Sequence, residues 1–162
     1  MKALFRFCLC LAFALPLLAA CESEVREANI NQNKYIDDYV TKYYSDREIV
    51  RYEGVVRVVL DDSQAGSTVI EPGDSAYLFL AGYTFGQSGP DSQFTLDSAM
   101  VRVGKGDLIT GLDRGLTGAR VGEESLVFFP AQLGYGKQGV GLVPENTALM
   151  FDLFVARIKK ND

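Results

Sequence analysis

Between residues 55 and 158 the chain has a single stretch with helical spacing, Leu108, Leu112 and Leu116, and glycines interrupt it at Gly111 and Gly115. Leucines four apart share one face of a helix. Each glycine costs such a helix about 1 kcal/mol relative to alanine, so small residues there point to close approach to a sheet. Asp107 is a suitable N-cap and Gly118 a suitable stop. Everything else in this span reads as strand or turn. Residues 55–60 are β-branched and apolar apart from Arg57, 76–85 are rich in aromatics, 94–103 are mostly extended, and 125–129 form another run. Residues 149–158 alternate, with Leu149, Phe151, Leu153 and Val155 on one face. Turn-rich stretches fall at 61–66, 71–74, 86–91, 104–106 and 121–123. One short helix against a mainly antiparallel sheet is an α+β arrangement.

The N-terminal end is of another kind. Lys2 and Arg6 form a small positive region, and residues 7–20 are apolar, interrupted by Pro16. A spanning helix needs roughly 20 apolar residues, so this run reads as the core of a secretory signal. It ends in Leu18-Ala19-Ala20-Cys21, which resembles the bacterial lipobox, cleaved immediately before its cysteine. The alternative is a plain secretory cleavage with Cys21 incidental; charge, apolar core and small residues together favour the lipid. Stable anchoring takes more than one acyl chain. The expected location is a bacterial cell envelope, lipid-anchored at the membrane through Cys21. Glu22 points to the outer membrane by resemblance to sorting rules in some bacteria. Cys8 and Cys10 fall in the removed segment, so neither an internal disulfide nor a thiol catalyst is expected.

The expected organisation is a signal peptide over 1–20, a polar tether over 21–34, an amphipathic helix and linker over 35–50, and a folded domain over 51–160. In the third segment Tyr35, Ile36, Tyr39, Val40, Tyr43 and Tyr44 recur in adjacent pairs every four residues, as on one face of a helix. That face either packs on the chain's own domain or serves a homodimer through residues 35–44. Single amphipathic helices usually dock locally.

The 162 residues include no histidine. Ser-His-Asp and Cys-His catalysis, histidine-ligated zinc and a histidine pH switch are therefore excluded. The net charge is −5 with no cluster of Lys and Arg, so no nucleic-acid partner is expected.

Three blocks carry a resemblance. Gly111-Leu112-Asp113-Arg114-Gly115-Leu116, followed by Val121-Gly122-Glu123, is similar to the central helix and turn of FKBP-type peptidyl-prolyl isomerases. Pro130-Ala131-Gln132-Leu133-Gly134-Tyr135-Gly136 resembles the family's Pro-x-x-x-Ala-Tyr-Gly loop. Residues 143–152, Val-Pro-Glu-Asn-Thr-Ala-Leu-Met-Phe-Asp, resemble its Ile-Pro-Pro-Asn-x-x-Leu-x-Phe-Asp ending. The blocks occur in family order and spacing. The resemblance implies a twisted antiparallel sheet wrapped around one short helix, in line with the layers inferred above.

It also implies a chemistry that needs no histidine, no metal and no cofactor. Rotation about an X-Pro bond is slow because amide resonance sets a barrier of about 18–20 kcal/mol. The transition state is a twisted, less dipolar amide, which an apolar pocket with one or two polar groups favours. By resemblance, Leu112 takes the place of the family's usual tryptophan floor, with Leu108 and Ile109 as the preceding wall. Ile109 would also present its backbone amide to the carbonyl before the proline. Tyr135 matches the loop tyrosine, Leu142 and Val143 the flap before Pro144, and Phe151 the aromatic wall. Where the family commonly has a tyrosine, two residues before the glycine matching Gly82, this chain has Leu80. The family's Phe-Asp pair falls either on Pro90 and Asp91 or, with a shift, on Phe94 and Asp97. The expected partners are proline-containing or unfolded polypeptides. The expected function is a prolyl isomerase assisting the folding of exported proteins; the alternative is a non-catalytic chaperone or peptide-binding module.

Overall fold

The computed structural model describes residues 27–161. The expected signal peptide over 1–20 and the expected lipid attachment at Cys21 lie outside the described residues. Six strands, β1 (Glu48–Tyr52), β2 (Val55–Asp61), β3 (Ser75–Gly86), β4 (Gly89–Arg102), β5 (Glu124–Phe129) and β6 (Ala148–Lys159), form one sheet. Its order is β1-β2-β5-β6-β3-β4, and every neighbouring pair is antiparallel. A helix over residues 27–44, α1, precedes the sheet. The short helix α2 (Thr110–Leu116) joins β4 to β5.

The two helices cover opposite faces of the sheet. Leu112 and Leu116 of α2 pack with Val127, Phe129, Leu149, Phe151, Leu153 and Val155 in one core cluster. Ile36 and Val40 of α1 pack with Val56, Val58, Leu126, Phe128 and Met150 in a second. Residues 126–129 of β5 therefore alternate between two cores, which is why this part of the strand is apolar at every position rather than at every second one. The glycines of α2 do what their sequence positions suggested: a Cβ on Gly111 would collide with the Phe129 ring and one on Gly115 with Val127. The helix lies close on β5 because those side chains are absent.

Several boundaries differ from expectation. Helix α1 already includes residues 27–34, assigned above to a tether, and buries Asn29 and Gln32 there. Residues 48–50, expected to be linker, belong to β1 and pair with β2. The loop expected over 86–91 is a tight connection at Gln87 and Ser88; Gly89, with φ of 121°, already begins β4 beneath Tyr39. Pro90 is tolerated because β4 is an edge strand that does not need its N–H. Asp107 does not cap α2. The N-cap is Ile109, without a side-chain hydrogen bond, and Asp107 instead accepts from the backbone N–H and guanidinium of Arg102. Gly118 does follow the end of the helix, with φ of 79°. The face of α1 bearing Ile36 and Val40 is docked on the chain's own sheet, so a homodimer through residues 35–44 would have to use its outward side, where Tyr43 is exposed.

Candidate functional site

A cavity of about 520 Å³ opens where the start of α2 meets β3, β4 and β6. Its floor is Leu112, buried in the main core. Leu108 and Ile109 supply one wall, and Phe94 and Phe151 another. Phe151 lies parallel to Phe129 behind it, ring centres 5.8 Å apart. Phe94 stands edge-on to Phe151 at 5.6 Å and to Tyr135 at 6.2 Å. Such edge-to-face contacts each contribute about 0.5–1.5 kcal/mol beyond burial and hold the rings at fixed angles. Gly82 on β3 makes this possible, since a Cβ there would press on Phe94, Thr95 and Phe151.

Tyr135 is half-buried at the cavity edge. Its loop follows β5 through Pro130 and one turn of 3-10 helix, Ala131–Leu133. The flap is a narrow hairpin closed by paired hydrogen bonds between Val140 and Val143, at 3.0 and 2.9 Å. Its Leu142 faces the cavity and is 75% exposed.

The structure thus brings together Tyr135, Phe151, Leu112, Ile109, Phe94, Leu108 and Leu142. It does not bring in three other candidates. Val143, next to Leu142, turns the opposite way into the core and is 3% exposed. Asp97 is the cross-strand partner of Leu80 but is exposed, its Oδ1 accepting the Ser98 N–H at 2.7 Å. Asp91 lies beyond Leu142, lining a separate cavity of about 320 Å³. Of the two placements considered for the family's Phe-Asp pair, Phe94 lines the cavity, and neither Asp91 nor Asp97 does.

Sequence reasoning missed the carboxylate that does reach the rim, Asp107, along with Thr95, Val140 and Gly141, and took Leu80 for a departure rather than a lining residue. The alternation of β3, with Leu78 in the core, was a signal for Leu80. Hydrogen bonds from the Arg102 side chain and backbone hold the Asp107 carboxyl below the usual carboxylate range, so it is ionised and already paired. Besides Asp107, the cavity is lined by apolar side chains, Tyr135, Thr95 and backbone groups. Ile109 precedes the first turn of α2, with φ of −63° and ψ of 147°, so its N–H stands ahead of the intrahelical ladder.

Known proteins are similar to this chain in sequence and in fold. The family model for the FKBP-type peptidyl-prolyl cis-trans isomerase matches residues 66–156, more than half of the chain. FK506-binding protein 1B of Aspergillus fumigatus is 33% identical over 98 residues, covering 55% of this chain and 82% of that protein. Peptidyl-prolyl cis-trans isomerase FKBP9 of Mus musculus is 44% identical over 82 residues, which are 49% of this chain and only 14% of that longer protein. Among solved structures, FkpA from Escherichia coli superposes with a TM-score of 0.62 at 21% identity, over 91% of this chain and 68% of that one. With β3, β4, β5, most of β6, the helix α2 and the aromatic cavity in the matched segment, this chain belongs to the FKBP-type peptidyl-prolyl cis-trans isomerase family.

Proposed function

We propose that the chain is a peptidyl-prolyl cis-trans isomerase that assists the folding of exported proteins in a bacterial cell envelope, held at the membrane by lipid on Cys21. The observation that carries the catalytic reading is the cavity itself: an apolar floor, aromatic walls, one phenol and Thr95, with its carboxylate at the rim already engaged by Arg102. Leu112, Phe151 and Phe94 enclose the prolyl ring and exclude water from the amide. The planar ground state is the more dipolar form, so an apolar surrounding disfavours it relative to the twisted transition state. The Ile109 N–H donates to the carbonyl before the proline, and the Tyr135 hydroxyl donates to the substrate backbone. No bond forms or breaks between protein and substrate, and no proton is transferred.

A second reading, a non-catalytic module gripping extended apolar segments, is favoured by one observation. Leu80 and Leu112 both line the cavity, and both are aliphatic where the family usually has tyrosine and tryptophan. An NMR exchange measurement on a short X-Pro peptide separates the two. Exchange faster than background supports the isomerase, and binding without faster exchange supports the module. Failure of both overturns the reading of the cavity. The anchor has its own test: intact mass of the membrane-extracted protein should show acylation that Cys21→Ser abolishes.

A further inference from the structure

The stripe that docks α1 on the sheet extends beyond its apolar part. Gln32, Ile36 and Val40 are spaced four apart, and all are buried, at 6%, 2% and 0% exposure. Ile36 and Val40 rest on the sheet. Gln32 lies past the end of β5 at Phe129 and the start of β6 at Ala148, where the backbone leaves the sheet to form the loops around the cavity. Its Oε1 accepts the N–H of Ala131 at 2.7 Å, and its Nε2 donates to the carbonyl of Asn146 at 2.7 Å.

Both partners are junctions. The Ala131 carbonyl accepts from the N–H groups of Gly134 and Gly136, each at 2.9 Å, and so closes the loop that presents Tyr135. Asn146 ends the flap segment in a left-handed conformation, φ 51°, uncommon for a residue with a Cβ. Its N–H donates to the Gly136 carbonyl at 2.8 Å. One buried amide therefore ties the Tyr135 loop to the base of the flap. Gln32 belongs to a helix outside the matched family segment, residues 66–156.

We infer that Gln32 is a positioning residue for this site, through which α1 holds the Tyr135 loop and the flap in the arrangement that receives the peptide. The inference rests on reading the cavity as a peptide site; Gln32 itself does not line it. Gly134, Gly136, Gly139 and Gly141 give these loops wide conformational freedom. Without the tie, only part of the population presents the competent arrangement, and apparent affinity falls by that fraction. The loss appears in KM, while kcat is kept once bound peptide has ordered the loops.

The test uses the full-length protein with Gln32→Met, of similar length but without hydrogen bonds, and Gln32→Glu, which keeps the acceptor and, ionised, lacks the donor. Measurements are kcat and KM by NMR exchange, Kd for a labelled X-Pro peptide by anisotropy, and thermal unfolding. Gln32→Met is expected to raise KM and Kd about tenfold with kcat retained, and ionised Gln32→Glu, which sets a buried carboxylate oxygen against the Asn146 carbonyl, to raise both at least as much. Unchanged KM and Kd in folded Gln32→Met overturn the inference. If that variant does not fold, unchanged values in Gln32→Glu do so. Should the parent protein bind the peptide without accelerating exchange, the catalytic reading fails, and the Kd values alone decide the role of Gln32.

Discussion

Arg57 and Glu123 form an ion pair beneath the end of α2, Nε to Oε1 at 3.4 Å, with side chains 7% and 1% exposed. The pair explains the one charge among the otherwise apolar residues 55–60 of β2. Arg57 also donates Nη1 to the carbonyls of Gly115 and Thr117, at 3.0 and 3.2 Å, where the last turn of α2 leaves carbonyls without helical partners. Burial lowers the pKa of Arg57 from its ordinary value and the Glu123 charge opposes that shift. Glu123→Leu strips the guanidinium of its counter-charge in a place where water cannot replace it. Removing one partner of a buried pair costs about 3–5 kcal/mol. Urea unfolding of Glu123→Leu should show a lower midpoint with an unchanged slope.

The contact between α2 and β5 makes an opposite prediction from helix propensity. Alanine at Gly111 would favour the isolated helix by about 1 kcal/mol. In the folded protein its methyl group would collide with the Phe129 ring, and that ring stacks on Phe151 in the cavity wall. Overpacking of this kind costs about 1–3 kcal/mol. Gly111→Ala should therefore lower the melting temperature, and its displacement of Phe129 should also weaken peptide binding.

In the cavity, Phe94 is the aromatic whose removal should separate function from stability. It is half-buried and makes edge contacts to Tyr135 and Phe151, while Phe151 itself is fully embedded in the core. Phe94→Ala should lower kcat/KM for X-Pro exchange about tenfold, the equivalent of two aromatic contacts. Phe151→Ala should unfold the protein at lower temperature, as large-to-small core changes of this type cost about 3–5 kcal/mol. Similar losses of activity and stability in both variants would place Phe94 in the core rather than the site.

The sheet and α2 were legible because their burial is apolar and periodic. Leu149, Phe151, Leu153 and Val155 show which face of β6 is inside, and Gly111 and Gly115 show that α2 has a close neighbour. What hydrophobic periodicity cannot reveal is burial through hydrogen bonds. Gln32 is polar, so the start of α1 resembled a tether until its amide was seen between Ala131 and Asn146. Asp107 is another such case. Its position suits a cap, but the guanidinium and N–H of Arg102 compete for the same oxygens. In the flap, Leu142 and Val143 are adjacent apolar residues, and only the Val140–Val143 bridge determines which of them faces the cavity.

A last prediction concerns acid stability. The Asp74 side chain, 4% exposed, receives Lys160 Nζ at 2.8 Å and the N–H groups of Glu71 and Asn161 at 2.8 and 3.1 Å. Lys160 also pairs with Glu71, so this cluster fastens the end of β6 to the turn before β3. Led by the Lys160 hydrogen bond, these contacts hold the Asp74 carboxyl below its ordinary value of 3.8. A depressed folded-state pKa means the unfolded chain binds the proton more readily. Asp74 therefore contributes stability in full above that ordinary value and loses it as pH falls through the lower folded-state value. Melting temperature measured from pH 5 down to pH 2 should fall in the parent protein partly through this group. Asp74→Asn should already be destabilised at pH 5 and should lose less on further acidification, so that the two curves converge. Parallel curves would show that the carboxylate's charge contributes nothing to holding the end of β6.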